Sequence, residues 1–308
     1  MEEALQPNFT YSQLVATGLS EADIRARVRA GDLIRLRRGI YCFPEMLEPG
    51  AAHLRLARAT MPLVHESNVL SHQSAACVHE LPVPRALLDT VAMTRRTQAH
   101  GRGRSKLRIY ASRLHGDEVT TVRGLPVTTL TRTIADLART QPFHWAVAAC
   151  DAGLAMGVGR DELLSGLARH PGLHGLPVAR SAVRFADARS ESPAESLSRV
   201  QFLRHGVPAP VLQFAVRDVE GQTVATSDFG WPDLRLVGEV DGKWKYGELL
   251  KPGQKPADAI MAEKRREEAI RLAGYWIVRW DWPIATNGPE LARRVLRAME
   301  FQRKQVAA

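Results

Sequence analysis

Asp228, Glu239, Asp241 and Lys243 are the residues of this chain whose types and spacing best suit chemistry. Glu239, Asp241 and Lys243 stand two apart, and side chains at i, i+2 and i+4 of a strand share one face. Arg235 and Val237 belong to that face, while Leu234, Leu236 and Gly238 turn the other way, toward an expected core. Asp228 ends the preceding apparent strand, so pairing of the two strands would bring three carboxylates together. Carboxylate oxygens are the ligands of hard cations such as Mg²⁺ or Mn²⁺, and a nearby ammonium stabilises a developing hydroxide or phosphorane. The chemistry suggested is metal-dependent phosphodiester hydrolysis, with Asp228, Glu239 and Asp241 on the metal. Asp233 follows Pro232 and reads as turn chemistry instead.

A sheet must hold these groups. Strands are expected over 211–217, 222–229, 234–241 and 275–281, with a helix over 256–273 crossing between the third and fourth. Upstream, Ser192-Pro-Ala-Glu195 is a capping box with proline at the first helical position, which accounts for Glu195 by helix capping alone. Arg199, four residues on, shares its face and could pair with Glu195 or grip a phosphate. Lys264, Arg265 and Arg266, on the crossover helix, are further possible phosphate contacts.

In order and spacing, a set of segments resembles a known family. They are Ser192-Pro-Ala-Glu-Ser-Leu-Ser-Arg199, Gly206-Val-Pro-Ala-Pro210, Gln213, Asp228-Phe-Gly-Trp-Pro232 and Glu239-Val-Asp-Gly-Lys243, then Glu263-Lys-Arg-Arg266 and Gly274-Tyr-Trp-Ile-Val-Arg-Trp280. Residues from about 191 to 282 thereby resemble very-short-patch-repair-type endonuclease-like domains of the PD-(D/E)xK nuclease fold. The resemblance implies a Mg²⁺ (or Mn²⁺) cofactor, DNA as substrate, and a glutamate on the first helix, here Glu195, that reaches the metal. The family's lysine stands two residues after the glutamate. Here that place is Asp241, which leaves Lys243, on the same strand face, as first choice and Lys264 as substitute.

The first fifty residues read as a winged helix-turn-helix. A short helix over 11–18 ends at glycine, and a second begins at Ser20 as N-cap, with Glu21 and Asp23 in its first turn. Ile24, Val28 and Leu33 are its apolar contacts and Gly31 closes it. A basic hairpin over 33–41 follows, with Gly39 suited to its turn. Arg25, Arg27 and Arg29 on the helix, with Arg35, Arg37 and Arg38 on the wing, are the candidate DNA contacts; of the helix arginines, Arg25 and Arg29 are favoured for reading bases.

The middle region, 51–186, mixes helices (53–64, 69–80, 131–139, 143–156, 161–169) with strands (89–94, 106–112, and short ones near 120 and 126). A basic glycine-containing loop over 95–108 could lie along a phosphate backbone or simply be solvated. His72 and His79, seven apart, cannot chelate one ion from a helix and read as core or surface histidines, and Asp136 and Asp151 as packing polars. With the N-terminal helices, Leu70-Ser-His-Gln-Ser-Ala-Ala76 and Leu125-Pro-Val-Thr-Thr-Leu-Thr-Arg-Thr-Ile-Ala-Asp136 resemble AbiEi-type antitoxins of type IV toxin–antitoxin systems, over roughly 8–155. That resemblance implies a winged helix that represses its own promoter, and a cognate toxin as possible partner.

A chain of 308 residues with net charge +9 favours an anionic partner, and DNA is the default. No apolar run is long enough to span a bilayer and no secretory leader is visible, so no membrane is expected. Three scattered cysteines fit neither a metal knuckle nor a disulfide framework and point to a reducing cytoplasm. The expected protein is α+β in three parts: a winged helix (1–50), a mixed α/β middle domain (51–186) and a restriction-endonuclease-like α/β domain (187–308). Its expected function is DNA binding joined to metal-dependent cleavage. A non-catalytic repressor, or an antitoxin acting through a toxin, are the alternatives.

Overall fold

A computed structural model of the chain describes residues 7–95, 102–104, 106–241 and 256–306. The chain forms two compact units, Met1–Gln141 with Val158–Ser181, and Pro142–Gly157 with Ala182–Ala308. The N-terminal and middle regions thus fall in one unit, and the helix expected at 143–156 joins the C-terminal one. No described helix is long and apolar enough to cross a membrane.

In the first unit, β1 (Phe9–Thr10), α1 (Tyr11–Ala16), α2 (Glu21–Ala30), β2 (Ile34–Arg37) and β3 (Ile40–Cys42) follow one another, with strand order β1-β3-β2. Capping boxes start both helices. Thr10 pairs with Gln13 and Ser20 with Asp23, so each N-terminus satisfies its own free N–H groups. Gly31 closes α2 in the left-handed conformation at φ +85. Leu14, Ile24, Leu33 and Tyr41 make the small core beneath these elements. β1 is an addition to the expected elements.

The rest of this unit is a six-stranded sheet in the order β6-β7-β5-β4-β9-β8. Its strands are β4 (Asn68–Leu70), β5 (Val91–Arg95), β6 (Arg102–Arg104), β7 (Leu107–Ala111), β8 (Val119–Val122) and β9 (Leu125–Thr128). Helices α3 (Pro49–Thr60), α4 (His72–Val78), α5 (Leu130–Thr140) and α7 (Arg160–Ala168) accompany it. Leu54, Leu70, Val78, Val91, Met93 and Val127 form its apolar core. The helix expected from 69 begins only at His72, because Asn68–Leu70 is a buried strand paired with both β5 and β9. β6 lies within the stretch expected as a basic loop, while residues 96–101 and 105 lie outside the described residues.

A polar network runs through this core around Asp136, which is fully buried on α5. Its carboxylate accepts Arg132 Nε at 3.1 Å and Arg139 Nε and Nη2 at 3.0 and 2.8 Å. The ring of His72 stacks on Tyr110 at 3.7 Å and accepts Arg139 Nη2 on its Nε2 at 3.2 Å. Burial pushes the His72 imidazole down to about 4, so it is neutral at pH 7 and free to accept. His79 is half-buried and contacts the Thr128 carbonyl. Cys42, Cys77 and Cys150 are buried and none is in a disulfide among the described residues.

The second unit holds α6 (Phe143–Ala155), α9 (Pro193–Arg204) and a four-stranded sheet of β10 (Val211–Arg217), β11 (Thr223–Trp231), β12 (Leu236–Asp241) and β13 (Trp276–Asp281). The first three strands are antiparallel. β13 runs parallel to β12, and α10 (Pro256–Leu272) makes the crossover that a parallel pair requires. α11 (Trp282–Thr286) and α12 (Gly288–Val306) end the described chain. They and α8 (Leu176–Phe185) have no counterpart among the expected elements.

Both faces of this sheet are covered. On one, Phe202 of α9 meets Phe229, Trp231 and Trp280 edge-on at 5.4–5.8 Å, with Leu236, Val240 and Met299 around them. Gly238 is required here, since a Cβ would lie 2.7 Å from the Trp280 ring. On the other, Val237 packs with Val216 and Ile270 of α10. The face of β12 expected to lie open therefore carries its own core. At the outer strand, Arg294 of α12 donates to the Arg279 carbonyl at 2.7 Å, and Phe301 meets the Trp276 ring at 5.1 Å.

Candidate functional site

The N-terminal arginines sort into two groups. Arg25, Arg27, Arg29, Arg35 and Arg38 are exposed, with Arg25 contacting Glu21 one turn back. Arg37 is different. Its Nε donates to Thr60 Oγ1 at 2.8 Å and its Nη2 contacts the Lys106 carbonyl, so it ties β2 to its own unit. Burial lowers its pKa, as expected of a guanidinium withdrawn from water. The expectation of a phosphate contact at Arg37 is corrected accordingly. A register shift between Arg35 and Arg37 breaks the strand alternation, and Arg37 answers to tertiary contacts that its basic neighbours do not share.

The acidic cluster is positioned by register. Glu239 stands opposite Arg279 of β13, and α10 crosses over the same face. Glu239 is 6% exposed and both its carboxylate oxygens are occupied. Oε1 accepts Ser227 Oγ at 3.1 Å and an Arg266 N–H, and Oε2 accepts Arg279 Nε at 3.0 Å and Arg266 Nη1 at 3.3 Å. Glu263 and Glu267 hold the far sides of Arg279 at 2.7 and 3.0 Å. Burial would raise the Glu239 carboxyl, but the two guanidiniums hold it below the ordinary carboxylate range.

Asp228 is half-buried, and its Oδ2 accepts the Val240 N–H at 2.7 Å. Asp241 is exposed at the end of β12. Among the described residues, the carboxylates of Asp228, Glu239 and Asp241 do not gather within 4.8 Å of one another. Mg²⁺ demands near-octahedral oxygen ligands. A carboxylate already bonded by two arginines does not supply them, so this arrangement does not fit that ion. Lys243, with Trp244 and Tyr246, lies outside the described residues.

Glu195 lies at the start of α9, where Ser192 caps the helix as expected but the Glu195 carboxylate turns to the Glu191 N–H rather than to that of Ser192. Its N–H donates to Ser192 Oγ, and its carboxylate accepts Ser192 Oγ at 2.7 Å and the Glu191 N–H at 2.9 Å. Gln213, at φ +48 in β10, adds an amide contact at 3.3 Å. Burial, reinforced by the nearby Asp228 charge, pushes the Glu195 carboxyl up to about 7 against these donors. Its folded pKa is therefore above its unfolded one. Stability is complete below the ordinary glutamate value, declines as pH rises to about 7 and levels off beyond it. Urea unfolding between pH 5 and 8 should show that decline at up to about 1.4 kcal/mol per pH unit, and Glu195→Gln should flatten it. An unchanged slope in the variant would assign the decline elsewhere.

Arg199 is not a free phosphate grip. It is buried, pairs with Asp151 at 2.9 Å, donates to the Phe185 carbonyl at 2.7 Å and stacks over the Phe185 ring. Ser196 Oγ donates to the same Asp151 oxygen at 2.7 Å, so Arg199 joins α9 to α6. Its expected pairing with Glu195 gives way to this closer, more buried partner. Arg266 likewise serves Glu239, whereas Lys264 and Arg265 are exposed.

Sequence reasoning passed over Ser227, Gln213, Arg279, Glu263 and Glu267 as site residues. The signal for Glu263 and Glu267 was present, since they stand on one helix face with Arg266 between them.

Residues 3–44 match a family model described as a transcriptional regulator, AbiEi antitoxin. A crystal structure of the RV2827C protein from Mycobacterium tuberculosis aligns with 62% of this chain and 74% of its own, at 16% identity and a TM-score of 0.38. That likeness is too slight to assign a fold. Two curated relatives come from Mycobacterium tuberculosis, the uncharacterized proteins MT2308 (strain CDC 1551 / Oshkosh) and Rv2248 (strain ATCC 25618 / H37Rv). Each is 32% identical over 195 residues, covering 61% of this chain and 67% of the relative. At that identity over two thirds of their length, the chain belongs to the family of these two mycobacterial proteins.

Proposed function

We propose that this protein is a DNA-binding transcriptional regulator of antitoxin type, acting in the cytoplasm, whose C-terminal nuclease-type fold serves as a binding module. The observation that carries the reading is the set of exposed arginines on α2 and the β2–β3 hairpin, within the segment that matches the antitoxin regulator model. In this reading the segment is a winged helix. α2 enters a groove while Arg35 and Arg38 hold phosphates. A cognate toxin is the proposed protein partner. Occupation of Glu239 by Arg266 and Arg279 supports a non-catalytic C-terminal unit.

The test is retardation of the protein's own promoter DNA over a salt series. Affinity should fall steeply with salt, and Arg35→Ala with Arg38→Ala should reduce the slope by roughly 2. Arg37→Ala should lower the unfolding temperature of the free protein and leave the salt slope unchanged. Binding indifferent to salt, or to the Arg35 and Arg38 changes, would overturn the assignment.

A second reading keeps the metal-dependent endonuclease. It is favoured by Glu195 lying near enough to Asp228 to feel its charge. It requires Glu239 to exchange its arginines for Mg²⁺ or Mn²⁺. Supercoiled and linear DNA incubated with Mg²⁺, Mn²⁺ or EDTA decides between the two, since metal-dependent cleavage lost in Asp228→Ala selects the endonuclease.

A further inference from the structure

Two histidines and a glutamate outside both regions discussed above come together in the first unit. A single helical turn, Gly116–Glu118, sets Glu118 at the foot of β8, and His170 follows α7. Glu118 and His170 are buried and His115 is half-buried. One donor atom from each lies within 4.8 Å of the other two. The Glu118 carboxylate is oriented: Oε2 accepts the His115 backbone N–H at 2.8 Å and Arg132 Nη1 at 3.3 Å. Oε1 is left facing His170 Nε2 at 2.6 Å.

His170 Nε2 is over-subscribed. Arg132 Nη1 lies 3.1 Å from it, and a guanidinium only donates, so that contact needs a bare lone pair on Nε2. The contact with Glu118 Oε1 needs a hydrogen on the same atom. One imidazole nitrogen cannot meet both demands. A cation between them would take the Nε2 lone pair and the Oε1 charge together, the two atoms parting from 2.6 Å to admit it, and would leave Arg132 on Oε2. Arg132 is itself paired with Asp136, 3.1 Å from its Nε, a carboxylate it shares with Arg139. A carboxylate with one oxygen anchored by a backbone N–H and a guanidinium is what outer-shell groups do to orient a metal ligand. A cavity of about 300 Å³ borders Glu118, with Arg132, Glu162 and Arg169 also in its wall; neither histidine lines it.

We propose that His115, Glu118 and His170 form a site for a divalent cation of the Zn²⁺ class, with water in the fourth position. Two imidazoles and one carboxylate are the donors such an ion takes, whereas Mg²⁺ and Ca²⁺ prefer all-oxygen shells. The ion fastens the turn before β8 to the segment after α7.

The full chain, stripped with EDTA, is titrated with Co²⁺ while its visible absorption is followed, and with Zn²⁺ by calorimetry. The expected result is a four-coordinate Co²⁺ spectrum that Zn²⁺ displaces. His170→Ala should abolish it. His115→Ala, at the least buried ligand, should weaken Zn²⁺ binding by about tenfold or more with the circular dichroism spectrum retained. Asp228→Asn should leave the titration unchanged, which separates this site from the C-terminal acids. Absence of the spectrum from the intact protein, or equal Zn²⁺ affinity in His115→Ala, would overturn the proposal. Should His170→Ala fail to fold, His115→Ala decides alone.

Discussion

Asp136→Ala is expected to cost the first unit about 3–5 kcal/mol, the loss seen when one member of a buried ionic group is removed. The aspartate is fully buried and bonded by Arg132 and Arg139, themselves largely withdrawn from water. Removing it leaves two desolvated guanidiniums facing one another across a cavity, with only neutral His72 between. Burial would raise the Asp136 carboxyl, yet the guanidiniums of Arg132 and Arg139 hold it below the ordinary carboxylate range. Its stabilisation is therefore complete above the ordinary aspartate value and disappears as pH falls through the lowered one. Urea unfolding of wild type and variant at pH 7 and pH 3 should show a large gap that narrows in acid. A gap below about 1 kcal/mol at pH 7 would mean that solvent reaches these groups.

Glu239→Ala should act on stability rather than on metal binding, at about 3–5 kcal/mol in the second unit. The glutamate bridges Arg266 and Arg279, and its loss leaves the two cations side by side above Val237 with only the outer Glu263 and Glu267 as partners. The sign separates the two readings of this residue. A carboxylate kept for a cation is repelled by its acidic neighbours when the ion is absent, so its removal would raise the unfolding temperature of the metal-free protein. As a partner of arginines, its removal should lower that temperature, and Mg²⁺ should restore nothing. Thermal unfolding of both proteins with and without Mg²⁺ gives the answer directly.

Much of the second unit was legible because its signals are local. The Ser192 N-cap, the strand alternations and the long helix before Gly274 each arise within a few residues, and the structure contains all of them. The role of Glu239 was not legible. A carboxylate on a strand looks alike whether it faces a cation or an arginine, and its arginines come from elements 27 and 40 residues away. Which face of β12 the crossover helix would cover decided the matter, and hydrophobic alternation pointed to the other face alone. β4 was missed for a different reason. Three buried residues running straight into α4 are too few to show a period of two. Arg199 and Arg37 show the converse error, in which a basic residue on an amphipathic element was read as surface. In each case a buried acceptor on a distant element claims the guanidinium.

The hydrogen bond from Arg294 to the Arg279 carbonyl has a consequence for the protein's behaviour in a crowded solution. β13 is one of the two edge strands of its sheet among the described residues, and such a strand offers its backbone as a template to any extended chain. A guanidinium seated on that carbonyl, with Phe301 lying against Trp276, obstructs the place where an incoming strand would pair. Helix α12 thus works as a guard against amyloid-like strand addition. A chain cut after Asn287 would lose that guard and expose apolar surface beside the edge, so it should polymerise where the intact protein stays dispersed.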